Sequence, residues 1–195
     1  MGIWFVADTH FHHSSIAEAR GFSSMKEMDE LIMENWNSRV HKSDDIYIIG
    51  DFAMMDERKT FSALNGRKHL VCGEYDCLTD AAMDMCTDVS WMKDIMINGR
   101  RFTMSHLPMR TWIGSTQGAV QLHGHLHGKR KIPGLCYDVG VDGHGFSPYS
   151  FDEIMSMVRL DEKRMLDDGL ILAGKDGSPF YRQDSCVWAD RLMPA

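Results

Sequence analysis

The sequence predicts an α/β fold with two β-sheets, and two observations lead to this prediction. Short apolar runs alternate with helical patterns in the first half of the chain, whereas short strands follow one another in the middle. With 195 residues, 44% of them hydrophobic, the chain is long enough to bury a core without disulfides. We therefore expect one main domain over residues 1–165, and the sequence gives no role to an appendage over residues 166–195.

Strands and helices alternate in the first half. Short apolar runs predict buried strands over residues 3–7, 46–49 and 69–71. Ser24 and Glu27 have the spacing of a capping box, and apolar residues at helical intervals then predict a helix over residues 25–40. Two shorter helices are expected over residues 57–64 and 80–85. This alternation is the pattern of an α/β domain.

The pattern changes after residue 90. Residues 94–97 and 101–105 predict a hairpin, because Asn98-Gly99 between them is a favoured turn dipeptide. Further strands are expected over residues 120–123 and 137–141. Ser150 and Glu153 form a second capping box, which predicts a helix to about residue 165. The succession of strands in this region predicts the second sheet.

Composition excludes several classes of protein. No apolar run approaches the ~20 residues of a membrane span, and the first residues lack the pattern of a signal peptide. The five cysteines have an odd count and irregular spacing, so we expect thiols in a reducing cytoplasm: Cys72, Cys77, Cys86, Cys136 and Cys186. A net charge of −7 argues against non-specific binding to nucleic acid.

Residue types that bind metal ions follow the ends of the predicted strands. They are Asp8 and His10, then Asp51, then Glu74 to Asp76, then His106, then His125 and His127. Because ligands of α/β sheets bind at the carboxyl ends of strands, we expect these side chains to lie together. Carboxylates and imidazoles in one site suit Mn, Fe, Zn or Ni. The sequence therefore predicts a site for divalent metal ions.

Each cluster has an ordinary alternative explanation. An isolated Asp-x-His is usually a pair of surface residues, and Gly-Asp after a strand is also a turn signal. The segment from Gly124 to Gly128 is more specific, because two histidines between glycines have little reason to be there for packing. The prediction depends on the whole ordered set, which rarely arises by chance.

The ordered set resembles the calcineurin-like metallophosphoesterases, whose pattern is D-x-H, G-D, G-N-H-[DE], a lone histidine and G-H-x-H. The resemblance covers about residues 3–160 and is closest to short single-domain bacterial and phage members, which share the Asp-Val-Gly-Val-Asp segment seen at residues 138–142. It implies two β-sheets sandwiched between helices in four layers. It also implies hydrolysis of a small phosphoester or nucleotide, with a phosphodiester slightly favoured over a monoester.

The resemblance also implies a role for each ligand. One of two divalent ions would be held by Asp8, His10 and His127, and the other by His106 and His125. Asp51 would bridge the two ions and hold the attacking hydroxide between them. Asp76 is a candidate for orienting His10 or another ligand. Arg110 and the basic run at residues 129–131 are candidates for gripping a phosphate, although such a run is more often a solvated loop.

Two positions depart from the family pattern. Glu74 stands where the family has an asparagine that binds the second ion, and Tyr75 stands where it has a histidine that contacts the phosphate. A carboxylate can still bind a metal ion, but it lowers the positive charge of the site. A tyrosine has a reference pKa near 10 and is a poorer proton donor at neutral pH than histidine, but we expect Tyr75 still to bind substrate through a hydrogen bond to a phosphoryl oxygen.

These departures leave three functions open. The first is an active phosphodiesterase or phosphatase. The second is a catalytically weakened relative that binds a metal ion or a nucleotide, and Glu74 and Tyr75 favour it. The third is a nuclease, which the acidic net charge disfavours without excluding short oligonucleotides.

Overall fold

The computed structural model describes residues 1–55, 57–76, 80–173 and 179–180. The first half contains β1 (Ile3–Val6), α1 (Ser14–Ala19), α2 (Met25–Arg39), β2 (Asp45–Ile49), α3 (Glu57–Ala63), β3 (Arg67–Val71), α4 (Asp80–Met85) and β4 (Asp88–Ser90). The second half contains β5 (Met92–Ile97), β6 (Arg100–Ser105), β7 (Val120–His123), β8 (Cys136–Asp138), β9 (Tyr149–Ser150), α5 (Phe151–Asp167), β10 (Leu172–Ala173) and β11 (Pro179–Phe180).

Two sheets form the body of the molecule, so the predicted α/β fold with two sheets and helices is confirmed. The first sheet has the strand order β4-β3-β2-β1-β9, in which β9 alone is antiparallel to its neighbour. The second has the order β5-β6-β7-β8, and its β5–β6 pair is the hairpin predicted around Asn98-Gly99. The parallel strands of both sheets bring several carboxyl ends to one side of the molecule.

The alternation of side chains along β1 separates two cores. Phe5 belongs to a cluster that contains Phe102 and Val120 of the second sheet, so this face of the first sheet packs on the second sheet. Val6 belongs to the other cluster, which contains Ile32 and Trp36 of α2. Helix α5 contributes buried side chains to the cluster between the sheets: Ile154, Val158 and Met165. The first sheet is therefore covered by helices on one face and by the second sheet on the other.

The capping boxes place two helices correctly. At the start of α2 the Ser24 side chain accepts from Glu27 N at 3.2 Å, but the Glu27 carboxylate accepts from Ser23 N at 3.0 Å and not from Ser24 N, so only half of the predicted box forms. At the start of α5, Ser150 and Glu153 cap each other, with Ser150 N donating to Glu153 Oε2 at 2.7 Å. These local hydrogen bonds are recognisable in the sequence because they need fixed residue types at fixed spacing.

One predicted strand is shorter in the structure. Residues 137–141 were expected to be a single strand, but β8 ends at Asp138 and the chain then crosses to the first sheet. Ala7 N donates to Val139 O at 2.9 Å, and Val141 N donates to Ala7 O at 3.1 Å. These bonds join the end of β1 to this segment and bring residues 138–142 beside the carboxyl end of β1.

Several short elements have no sequence signal. Strands β4 and β9 have three and two residues, which is too short for a periodic pattern. Helix α1 has six residues and begins after His13, which is not a preferred capping residue.

The predicted appendage is only partly described. Its described part holds the end of α5, Ile171 buried against the core, and the β10–β11 pair. Residues 174–178 and 181–195 lie outside the described residues, as do Cys77 and Cys186. In the described ranges, no helix is both long and apolar enough to cross a membrane.

Candidate metal centre

Five of the predicted ligands form two overlapping groups at the carboxyl ends of the strands. The first group is Asp8, His10 and His127, and the second is Asp8, Asp51 and His106. Within each group the potential ligand atoms all lie within 4.8 Å of one another. Asp8 belongs to both groups. Asp51 Oδ2 also lies between them, 3.6 Å from His10 Nε2 and 3.2 Å from His106 Nε2.

The backbone of this site is strained. Residues other than glycine rarely adopt positive φ angles, yet five of the predicted ligands do so. The angles are 54° at Asp8, 49° at His10, 54° at Asp51, 70° at His125 and 50° at His127. Such conformations cost free energy and concentrate at functional sites, where the surrounding structure enforces them. At these positions the candidate ligands themselves adopt the left-handed conformation that glycine usually supplies.

Two glycines allow candidate ligand side chains to lie close against the backbone. Gly50 has a φ of +84°, and a Cβ atom there would lie 2.3 Å from His106 Nδ1. At Gly124 a Cβ atom would lie 2.7 Å from Asp8 Oδ2. Any side chain at these positions would therefore push a candidate ligand out of place.

Imidazole nitrogens in the site lack ordinary partners. The Nδ1 of His106 donates to Ile49 O at 3.0 Å, which leaves its Nε2 facing Asp51 without good hydrogen-bond geometry. Both ring nitrogens of His10 are buried, and neither has a hydrogen-bond partner among the described residues. Buried polar atoms without partners are costly and rare. The donor set fits a divalent metal ion, because an ion would satisfy these nitrogens together with the carboxylates.

Burial and charge perturb the pKa values of the same groups. Burial raises the pKa of Asp8 to about 7, against the opposing hydrogen bond from the His125 backbone. Burial lowers the pKa of His10 to about 3, although Asp51 opposes this effect. Burial also disfavours the charged form of His106, but the carboxylate of Asp51 and the Ile49 carbonyl outweigh it and raise the pKa of His106 to about 9. Strongly shifted ionisable groups clustered in this way are typical of functional sites.

Asp76 holds the backbone of Asp51. Its Oδ2 accepts from Asp51 N at 2.7 Å and Gly73 N at 2.8 Å, and its Oδ1 accepts from Phe52 N at 2.8 Å. The sequence had suggested that Asp76 orients His10 or another ligand. The structure places its contacts on the segment of Asp51, not on His10, because the loop after β3 packs against the loop after β2.

The two residues that depart from the family pattern lie at the mouth of the site. Glu74 is 61% exposed, and its Oε2 lies 3.8 Å from Nδ1 of His125, which is 37% exposed. Neither belongs to the two ligand groups. The Tyr75 ring is 48% exposed and stands edge-on to His10, with 5.5 Å between ring centroids. Its backbone N–H donates to Asp51 Oδ1 at 3.2 Å.

The basic residues suggested for phosphate binding lie outside this cluster. Arg110 is exposed in the loop after β6, and none of the contacts described above involves it. Lys129 and Arg130 are exposed after the histidine segment, whereas Lys131 Nζ lies 3.4 Å from Asp161 Oδ2 on α5.

The sequence motifs give no role to two residues that contact the site, Arg20 and Asp142. Asp142 lies in the segment at residues 138–142 that the sequence had singled out. Asp138 of that segment accepts from Gly128 N at 2.9 Å and therefore supports the histidine loop. Arg20 has no motif around it that would have pointed to the site.

Comparisons with known proteins show relatives of similar length. An uncharacterised protein of Methanocaldococcus jannaschii is 26% identical over 174 residues, a match that covers 80% of this chain and 90% of that protein. The gene 66 protein of Mycobacterium phage D29 is 27% identical over 194 residues, covering 80% of this chain and 95% of that protein. No protein-family model matches the chain.

Solved structures are similar in fold. A protein of unknown function from Aquifex aeolicus superposes with a TM-score of 0.67 and 24% identity, covering 80% of this chain and 98% of that one. An archaeal phosphodiesterase has a TM-score of 0.47 and 17% identity, covering 72% of this chain and 82% of that one. The likeness to the Aquifex aeolicus protein is one of fold, and it spans most of both chains.

Proposed function

We propose that this chain is a metal-dependent phosphoester hydrolase of the calcineurin-like kind. The observation that supports it most is the pair of overlapping ligand groups that share Asp8. Two such groups side by side would hold two divalent ions, and their mixed carboxylate and imidazole donors suit Mn, Fe, Zn or Ni. The order of the motifs along the chain supports the same function. We place the protein in the cytoplasm, on the cysteine pattern alone.

Divalent ions held in this site would stabilise negative charge on the phosphoryl group and acidify a bound water. The chain's own contribution is to fix its donors. Ile49 O fixes the ring of His106, and Asp76 fixes the backbone of Asp51. The Tyr75 backbone N–H donates to Oδ1 of Asp51, and Oδ2 of Asp51 faces both His10 and His106. Donors fixed in advance need little reorganisation during the reaction.

The mouth of the site favours a phosphodiester over a monoester. A diester carries one negative charge, whereas a monoester carries up to two at neutral pH. Glu74 lies at the mouth beside His125 and repels the additional charge of a monoester. The exposed Tyr75 ring can contact the substrate, and its hydroxyl can donate a hydrogen bond to a phosphoryl oxygen.

A weakened relative that binds a metal ion or a nucleotide is the second candidate. Glu74 and His125 favour it, because Glu74 is exposed, His125 is partly exposed, and both lie outside the two compact ligand groups. A second ion held by fewer buried ligands would bind less tightly and stabilise less charge. In this case metal binding would persist while hydrolysis would be slow.

Hydrolysis of an aryl phosphodiester and an aryl phosphomonoester, with added Mn and with a chelator, separates the two candidates. We expect Mn-dependent hydrolysis of both substrates, with the diester faster. Metal binding without hydrolysis of either would favour the weakened relative. Hydrolysis that persists unchanged in the chelator would contradict a metal-dependent reaction.

A further inference from the structure

Arg20 and Asp142 form an ion pair beside the candidate metal centre. Arg20 Nε lies 2.8 Å from Asp142 Oδ1, and Arg20 Nη2 lies 2.6 Å from Oδ2, so the guanidinium binds both carboxylate oxygens. The side chains are only 5% and 18% exposed. Arg20 ends α1, while Asp142 lies in the 3₁₀ turn Val141–Gly143, so the pair joins two distant parts of the chain. A two-point pair of this kind holds both partners in one geometry.

The pair fixes the ring of His127. Asp142 Oδ2 lies 2.9 Å from His127 Nδ1. Arg20 Nη2 also lies 3.5 Å from the same nitrogen, but a guanidinium can only donate. The shorter contact to a carboxylate therefore makes Nδ1 the protonated nitrogen. The other nitrogen, Nε2, is left as the ligand atom for the group formed with Asp8 and His10.

Arg20 also holds the backbone of the ligand shared by both groups. Its Nη2 donates to Asp8 O at 2.6 Å, and its Nη1 donates to Thr9 O at 3.3 Å. Asp8 has a φ of 54°, a conformation that needs support from its surroundings. One buried guanidinium thus contacts the backbone of Asp8 and, through Asp142, the ring of His127.

We propose that Arg20 and Asp142 are positioning residues of the metal centre, which hold His127 and the backbone of Asp8 in the geometry that binds an ion. The inference rests on the proposed metal-dependent function. Partners of this kind behind a histidine ligand typically change metal affinity by about 10–100-fold when they are removed. An ion held by Asp8, His10 and His127 would depend on the pair, whereas an ion near His106 would depend on it less, because Asp142 contacts the ring of His127 and not that of His106.

Zinc titration of chelator-stripped protein by calorimetry tests the proposal. Asp142→Ala should weaken one of the two binding events by about 10–100-fold. Asp142→Asn should weaken it less, because its amide oxygen can still accept from His127 Nδ1. Glu153→Ala is the control, since Glu153 is also paired with an arginine but lies outside the ligand groups: Arg39 Nη2 lies 2.6 and 2.7 Å from its two carboxylate oxygens. The control should change thermal stability but not zinc affinity.

Nitrogen NMR of the zinc-loaded parent gives a second measurement that needs no variant. We expect His127 to bind zinc through Nε2 and to keep a proton on Nδ1. Ligation through Nδ1 would overturn the proposal. Zinc affinities of folded Asp142→Ala within threefold of those of the parent would also overturn it, as would an equal loss of affinity at both binding events. A parent that binds no zinc would overturn both the proposal and the metal-dependent function.

Discussion

Replacing Asp76 by asparagine tests how the site is held together. The carboxylate accepts three backbone N–H groups and is 6% exposed. An asparagine in the best orientation keeps its oxygen on Asp51 N and Gly73 N and turns its NH₂ group toward Phe52 N. One N–H group then loses its acceptor, which costs about 1.5–3 kcal/mol, and the two remaining bonds lose the help of the charge.

Removal of the buried negative charge offsets part of that cost. Burial raises the pKa of Asp76, against the hydrogen bonds from Gly73 and Phe52, so removing the charge recovers some desolvation free energy. We therefore expect Asp76→Asn to lower the free energy of unfolding by about 2–3 kcal/mol. For a chain of this size that corresponds to a Tm lower by roughly 4–12 °C.

Denaturant unfolding in the presence of a chelator is the appropriate assay, because bound metal would add its own stabilisation. Asp84→Asn is the control, since Asp84 is 63% exposed and pairs only with Arg58 at 2.8 Å among the described residues. We expect that control to change stability by less than about 0.5 kcal/mol. An Asp76→Asn protein as stable as the control would refute the view that this carboxylate holds the loop of Asp51.

Three further predictions concern activity and pH. Asp51→Asn should slow hydrolysis by at least about 100-fold, since several kcal/mol of charge stabilisation depend on the metal arrangement; a loss of only a few-fold would place the chemistry elsewhere. Glu74→Asn with Tyr75→His should speed hydrolysis by up to about 10²–10⁴-fold for a poor leaving group and little for an aryl one; rates that do not rise on either substrate would show that these residues belong to a different working site. Burial opposes the charge of Glu153, but hydrogen bonds from Arg39 and Ser150 outweigh it and lower its pKa from 4.5 to about 2. Glu153→Gln should therefore lower the free energy of unfolding by roughly 1 kcal/mol above pH 4.5, a figure reduced because the group is half-exposed, and this difference should disappear as the pH falls toward 2. The check is to measure the free energy of unfolding of both proteins across this pH range. A difference that does not change with pH would contradict this assignment.

The sequence predicted the elements whose signals are local. The capping boxes at Ser24 and Ser150 and the Asn98-Gly99 turn need particular residues at fixed spacing, and the helices and hairpin lie where they were expected. Two of the elements that were not predicted, β9 and β4, form by pairing with β1 and β3, which lie elsewhere in the sequence. The shortening of the strand after Cys136 has the same cause, since Val139 and Val141 bond to Ala7.

The candidate site was predictable to the extent that its residues follow strand ends. Asp8, His10, Asp51, His106 and His127 come together because the carboxyl ends of β1, β2, β6 and β7 lie on one side of the molecule. The positive φ angles were not predictable, because only the assembled site makes such strain tolerable. The contacts of Arg20 with Asp142 and His127 join residues more than 100 positions apart in the sequence, and no local pattern encodes them.

Elemental analysis after metal loading tests the central claim most directly. Protein loaded with Zn or Mn and then desalted should retain close to two ions per chain. His10→Ala should retain about one ion fewer, because His10 supplies an imidazole whose nitrogens have no other partner among the described residues. A retained stoichiometry near zero in the parent, unchanged by His10→Ala, would contradict the metal centre and the hydrolytic function that depends on it.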